Sequence, residues 1–543
     1  MALLNACLLV VLGLIATVPL LPGGGAQPQQ RKNVLFFAID DLRTELGAYN
    51  HDQVKSPNID KLASKSLLFE RAYCQVSLCS PSRASLLTGR RPDTNHVWQI
   101  SADEYWRQFT NATTIPQYFK ENGYISIGMG KVFHPGAPSG KDDEEYSWSP
   151  EGLPYYHSPL EQRYGPANHT SSWWAFEGIA DNQQPDGQIA DRAVSVLQQL
   201  HQNRSKGDNR PFFLAVGFHK PHLPFYAPSR YFDLYPPASE IKLPVNSNPP
   251  KDMPDIAWSV YSYIRGFGDT KQLFPNVTKC FSDAQASIYG KECRFPDDKA
   301  RELRRAYYAC VSYTDTQVAK VLAELETQGF SNDTIIVLWG DHGWQLGEHN
   351  EWCKFTNFED GVHVPFLLRV PGVTDGGMRT QALVELIDIF PSVAELAGIK
   401  VPPPCPEGEH NLLTCVEGSS VAPLLKNPNQ QWKKGAFSQY ARPGSGLTSI
   451  PGHPPFDNEH GENVMGYTIR VDQYRFTEWV RFNRTTAMPH WDDVWGTELY
   501  NHTEPTTFFN DENANLANDP DMQPVVKELR QLLHAGWRAA LPP

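Results

Sequence analysis

Four continuous apolar runs punctuate the chain, and each stops abruptly at charged or imidazole-bearing residues. Asn33–Ile39 (NVLFFAI) runs into Asp40-Asp41, and Ile125–Gly130 into Lys131 and then His134. Phe212–Phe218 runs into His219-Lys220-Pro221-His222, and residues 334–339 (TIIVLW) into Asp341-His342. Uninterrupted apolar runs of this length suit strands of a parallel sheet covered on both faces. Helical patterns lie between them. Ser56-Pro57 opens one that carries Ile59, Leu62 and Leu67, and Ile189, Ala193, Val196, Leu197 and Leu200 make an apolar stripe at helical spacing. Residues 299–327 read as a long helix or a broken pair stopped near Gly329. Residues 382–397 read as another helix, kinked at Pro391 and closed by Gly398. The alternation predicts an α/β fold with a mostly parallel sheet sandwiched by helices. Ligands of such sheets bind beyond the carboxyl ends of the strands, which pools the four charged clusters into one site.

From about Ala436 the texture changes. Residues 467–471 and 474–482 read as antiparallel strands joined at Asp472-Gln473, Glu498-Leu499-Tyr500 as a further short strand, and 524–541 as a closing helix. The 543 residues exceed one core. The expected division is a large domain over 27–435 and a smaller α+β subdomain, built on an antiparallel sheet, over 436–543. Segments 138–185 and 235–275, rich in proline, tryptophan and glycine, read as long ordered loops of the kind that carry function.

An apolar content of 40% and 14 tryptophans describe a globular protein, and a net charge of −13 argues against nucleic acid as a partner. Residues 8–21 are apolar but short for a membrane span, and Gly24-Gly25-Ala26 offers a cleavage site, so 1–26 reads as a signal peptide, although it lacks a charged start. No later segment reaches spanning length, so no transmembrane anchor is expected. Asn-x-Ser/Thr sequons at Asn111, Asn168, Asn203, Asn276, Asn332, Asn483 and Asn501 fit a secreted or lysosomal glycoprotein. Two local disulfides are expected, Cys280–Cys293 and Cys405–Cys415, with Cys74, Cys310 and Cys353 as buried thiols.

The pooled residues suggest chemistry. Asp40, Asp41 and Asp341 at one sheet edge would repel unless neutralised, which favours a hard divalent cation: calcium, or the smaller magnesium. A lone cysteine usually packs as an apolar residue. Cys79 instead has Ser80, Ser82 and Arg83 as neighbours, with Pro81 suited to the first turn of a helix. That places Cys79 at a helix N-terminus, where an anion is favoured. Arg83, Lys131 and Lys354 supply fixed positive charge, and His134 and His222 can exchange protons near neutral pH.

The run Cys79-Ser80-Pro81-Ser82-Arg83, followed by Thr88-Gly89-Arg90, resembles the signature of the type I, formylglycine-dependent sulfatases. The other motifs resemble that family in order and spacing: Asp40-Asp41, Gly130-Lys131-Val132-Phe133-His134, Lys220-Pro221-His222 and Gly340-Asp341-His342-Gly343. The stretches GKVFHP from Gly130, HKPHLP from His219, DHGWQLGEHNEWCK from Asp341, Ser438-Gln439-Tyr440 with Arg442-Pro443, and MGYTIR from Met465 resemble the iduronate-specific branch most. The resemblance covers nearly all of the chain after residue 33.

It implies an alkaline-phosphatase-like fold and hydrolysis of sulfate esters, with Cys79 oxidised by the formylglycine-generating enzyme to an aldehyde whose hydrate attacks sulfur. It further implies one calcium ion held by Asp40, Asp41, modified Cys79, Asp341 and His342, the last standing where many sulfatases have asparagine. Arg83, Lys131 and His134 would orient and activate the hydrate. His222 and Lys354 would grip the sulfate, with His222 protonating the leaving oxygen. Trp344 and His349 are candidates for shaping a sugar pocket or for packing. The implied substrate is the 2-O-sulfate of terminal iduronate in heparan and dermatan sulfate, and the implied location is the lysosome, reached by the secretory pathway, or outside the cell. The loop 138–185 does not follow that branch and leaves the sugar open, so a paralogue for another sulfated sugar or small sulfate ester is the alternative. A phosphatase or phosphodiesterase on the same fold would place serine or threonine at position 79 and use zinc pairs. A non-catalytic binder of sulfated glycans would keep Cys79 as a thiol.

Overall fold

A computed structural model describes residues 31–150, 153–161, 172, 174–259, 267–273, 294, 296–408, 412–442, 462–503 and 512–543. The signal segment 1–26, the Cys280–Cys293 pair and the sequons at Asn168 and Asn276 lie outside the described residues.

All four apolar runs are strands. In chain order the strands are β1 Asn33–Ile39, β2 Leu67–Tyr73, β3 Ile125–Gly130, β4 Trp174–Glu177, β5 Phe212–Phe218, β6 Phe225–Pro228, β7 Thr334–Gly340, β8 His363–Val364, β9 Phe366–Arg369, β10 Met378–Glu385, β11 Ala436–Arg442, β12 Glu462–Arg470, β13 Tyr474–Asn483 and β14 Met488–Asn501. The large sheet has the order β10-β2-β9-β7-β1-β5-β3, with β8 also on β2. Its centre, β7-β1-β5-β3, is wholly parallel, so the carboxyl ends of the four predicted strands lie side by side along one edge. Antiparallel β9 and β8 make the sheet mixed outside that centre.

Successive residues of a strand face opposite sides of the sheet. Leu35, Phe37 and Ile39 of β1 join one apolar layer with the helices Pro185–Ser205 and Asp297–Thr327. Val34, Phe36 and Ala38 join the other, with the helices Cys79–Thr88 and Ile389–Leu396. Burial on both faces is why these runs carry no polar alternation.

Three elements differ from expectation. Residues 378–385 form edge strand β10, and the helix there is only Ile389–Leu396. The polar–apolar alternation after Met378 finds a partner in β2, and Pro391 sits within the first turn, where its missing N–H costs nothing, so it does not kink the helix. Leu67 begins β2 and does not extend the helix Pro57–Ala63. Of the two readings of 299–327 the long helix holds, as Asp297–Thr327. β14 runs over 14 residues, well beyond Glu498-Leu499-Tyr500.

The antiparallel sheet β11-β12-β13-β14 begins at Ala436. The helix Gln523–Ala535 covers it with Val526, Leu529 and Leu533. Cys405 and Cys415 are disulfide-bonded, and Cys74, Cys310 and Cys353 are buried free thiols. Asn111, Asn332 and Asn501 are exposed, and Asn203 and Asn483 half-buried. Among the described residues no helix is long and apolar enough to cross a membrane.

Candidate active site

The parallel centre of the sheet delivers one residue group per strand to the same edge. Asp40 and Asp41 follow β1, Lys131 follows β3, the 219–222 segment follows β5, and Asp341 and His342 follow β7. Gly130 makes one of these turns possible. Its φ is +67°, and a Cβ there would lie 2.0 Å from the Gly217 carbonyl oxygen. Cys79 arrives separately, as the first residue of its helix.

The side chains then interlock. Cys79 Sγ lies 2.9 Å from Lys354 Nζ, 3.2 Å from His342 Nε2 and 3.6 Å from Lys131 Nζ. Lys354 also donates to Asp41 Oδ1 at 2.7 Å, and Lys131 is paired with Asp40. Arg83 spans the site, donating from Nη2 to Asp40 Oδ1 at 3.0 Å and from Nε to Asp341 Oδ2 at 2.8 Å. Asp341 Oδ1 accepts the backbone N–H groups of Asp41 and His342. His222 stands at the rim with Nε2 4.0 Å from Asp41 Oδ2. His134 is half-buried, its Nδ1 on the Pro135 carbonyl.

Ligand atoms of Asp40, Asp41, Cys79 and His342 lie within 4.8 Å of one another. Asp341 adjoins them, with Oδ2 3.4 Å from His342 Nε2. The donor set is mainly carboxylate oxygen, as a hard cation requires. Its electrostatics fit a missing positive charge. Burial, and then the charge of Asp40, lift Asp41 to about 6 even against Lys354. Burial likewise lifts Asp341 to about 7 against Arg83. Burial would raise Asp40 too, but Lys131, with Arg83 and Lys354, holds it well below the usual range. Asp41 Oδ2 is buried without a hydrogen-bond partner among the described residues.

The thiol at position 79 is a poor nucleophile as it stands, because burial and the neighbouring Asp40 push it up to about 12. Burial and the ammonium groups of Lys354 and Lys131 depress His222 well below its ordinary value. Burial and Lys131 lower His134 to about 3.

Trp344 and His349 are both buried. Trp344 lies under the Lys354 ammonium, 5.7 Å away, and His349 stacks on Phe358. Two supports were invisible in the sequence. Asp41 adopts φ +57°, and Tyr307 braces that turn by donating to the Asp41 carbonyl at 2.7 Å while accepting from the Arg43 N–H at 3.1 Å. Lys220 turns away from the site and donates to the carbonyls of His222 and Pro224, tying the loop that presents His222. Its lysine-proline-histidine motif signalled the loop but not this direction.

Residues 32–399 match the sulfatase family. The chain belongs to that family. As a sulfatase it is a sulfuric ester hydrolase. It is 37% identical over 520 residues to iduronate 2-sulfatase of Mus musculus, covering 86% of this chain and 88% of the mouse protein. It is 38% identical over 517 residues to iduronate 2-sulfatase of Homo sapiens, with the same coverage. Among solved structures, the phosphonate monoester hydrolase of Silicibacter pomeroyi superposes with a TM-score of 0.63 at 22% identity, covering 94% of this chain and 96% of that one. A 2-O GAG sulfatase superposes with a TM-score of 0.62 at 21% identity, covering 95% of each. These likenesses establish the alkaline-phosphatase-like fold.

Proposed function

We propose that this sulfatase removes the 2-O-sulfate from terminal iduronate of heparan and dermatan sulfate oligosaccharides, in the lysosome or outside the cell. The observation that carries the reading is Cys79 buried at a helix N-terminus, between Lys131 and Lys354 and within 4.8 Å of ligand atoms of Asp40, Asp41 and His342. The likeness to two mammalian iduronate 2-sulfatases supports the choice of sugar.

Asp40, Asp41, Asp341, His342 and the modified residue 79 would hold one calcium ion. When present, calcium supplies Lewis acidity to the sulfuryl oxygens, and the hydrated formylglycine at position 79, installed by the formylglycine-generating enzyme, supplies the attacking oxygen. The protein's own residues do the remainder. Lys131 and Lys354 flank the place of the sulfuryl group and offset the charge that repels a nucleophile. Arg83 fixes Asp40 and Asp341 relative to each other. Lys131 and His134 orient and activate the hydrate. His222 Nδ1 is held by the Leu223 carbonyl at 2.6 Å, leaving Nε2 to carry the proton for the leaving sugar oxygen. Burial, Lys354 and Lys131 hold His222 below its ordinary value, and a sulfate group bound between the two lysines would offset the lysine part of that, favouring the protonated ring. Domains 27–435 and 436–543 would act together.

Two measurements test this. Mass spectrometry of the peptide containing residue 79 should show formylglycine, and a thiol in active enzyme would refute the nucleophile. Turnover on defined sulfated disaccharides should favour 2-O-sulfated iduronate; preference for another sulfated sugar would reassign the substrate while leaving the chemistry intact.

A further inference from the structure

Lys354 reaches Cys79 from a loop whose next residue sits in an unfavourable backbone conformation. Phe355 has φ +76°, a region that bulky side chains occupy only when their surroundings hold them there. Both of its peptide groups are held. The Phe355 N–H donates to the Ser77 carbonyl at 3.2 Å, two residues before Cys79. The Phe355 carbonyl accepts from Arg442 Nη1 at 2.9 Å.

Arg442 is the last residue of β11, the strand that opens the C-terminal sheet. It is buried and makes no ion pair among the described residues, an expensive placement for a guanidinium. Among the described residues all its hydrogen bonds go to backbone carbonyls. Besides Phe355 these are Ile256 at 3.1 Å from Nε, and Ala257 and Trp258 at 3.2 and 3.4 Å from Nη2. The guanidinium also faces the rings of Tyr440 at 4.7 Å and Trp479 at 5.1 Å, which confine its plane. A planar fork with fixed donor directions can hold several chain segments at once; a lysine ammonium cannot reproduce that geometry.

We propose that Arg442 is a positioning residue for Lys354, tying the C-terminal sheet to the backbone turn that aims the Lys354 ammonium at residue 79. The inference rests on the reading of Lys354 as a sulfate-binding group. By this account the C-terminal subdomain contributes to catalysis through one hydrogen bond to the residue after Lys354.

The test is a double-mutant cycle on the full chain with Arg442→Gln, Lys354→Met and the pair. It is read as kcat/KM per formylglycine-containing molecule and as the Kd of inorganic sulfate. Arg442→Gln should lower kcat/KM roughly tenfold to a hundredfold, the range expected for a small misplacement of a binding group, and weaken sulfate binding. In the Lys354→Met background it should change either quantity by less than about threefold, since residues acting as a unit are not additive. Equal losses in both backgrounds would overturn the proposal and make Arg442 a general stabiliser. If Arg442→Gln does not fold, Arg442→Lys is carried through the same cycle with the same two outcomes. Wild-type sulfate affinity and turnover in Lys354→Met alone would instead refute the sulfate-binding role of Lys354, and the positioning claim with it.

Discussion

Two groups of carboxylate and imidazole, one buried and one partly buried, look alike in composition and differ in how completely they are satisfied. One is Asp40, Asp41, Cys79 and His342 at the edge of the parallel sheet; the other is Glu359, His502 and Glu512, beside the C-terminal antiparallel sheet. In the second, Arg475 pairs with both glutamates and Arg470 joins it on Glu359. Burial would raise both glutamates, but Arg470 and Arg475 hold Glu359 well below its ordinary value, and His502 and Arg475 lower Glu512. In the first, Arg83, Lys131 and Lys354 leave Asp41 and Asp341 raised and one oxygen of Asp41 orphaned. Burial is the largest cause of both shifts, so a cation held there would favour the charged carboxylates. The glutamate cluster is closed; the aspartate cluster is open.

The largest test of that contrast removes the residue the open cluster surrounds. Cys79→Ala should lower turnover by at least about a thousandfold, as expected for loss of a covalent nucleophile, with little change in Tm. Next, chelation should destabilise the wild type by about 3–4 kcal/mol if calcium is present at a hundred to a thousand times its Kd. Asp41→Asn should abolish that response in thermal melts, and Glu512→Gln should retain it; a calcium response surviving Asp41→Asn would break the comparison.

Glu359→Gln should cost about 3–5 kcal/mol, because it removes the charge that Arg470 and Arg475 share in a buried ion-pair network, while activity per folded molecule stays unchanged. Denaturant midpoints and active-site titration check both halves.

The test smallest in its change per pH unit concerns a third environment, where among the described residues no ion pair opposes burial. Burial raises Glu498, which accepts from Trp479 Nε1 and Tyr500 Oη, to about 7, and raises Glu351 to about 8. The folded protein therefore keeps protons that the unfolded chain has released above about 4.5. Stability should be full below that pH and fall as pH rises towards 7 and 8, by up to about 1.4 kcal/mol per unit for each group. Denaturation between pH 4.5 and 8 should show that slope, and Glu498→Gln should flatten it below pH 7.

Much of the site was legible because its residues follow strands buried on both faces. In such strands an apolar run ends where the sheet ends, so the first charged residue marks the ligand-binding edge. Cys79 was legible from its neighbours, which favour a helix start over a core. The start of strand β2 at Leu67 and the end of β10 over 382–385 were misread as helix because brief apolar patterns serve helix and strand alike until a partner strand arbitrates. Arg442 stood out only in the resemblance of Arg442-Pro443, and its partner was not legible, since Phe355 lies 87 positions away.

Residue order alone thus settled the fold class, the family motifs and which side chains could meet, because burial and backbone geometry act over a few neighbouring positions. Tertiary packing decided how far each charge is compensated. It opened the aspartate cluster and closed the glutamate one. It also aimed Lys354 through a carbonyl held from another sheet. Desolvation and hydrogen-bond direction depend on what lies across the interface, and local sequence carries no record of that.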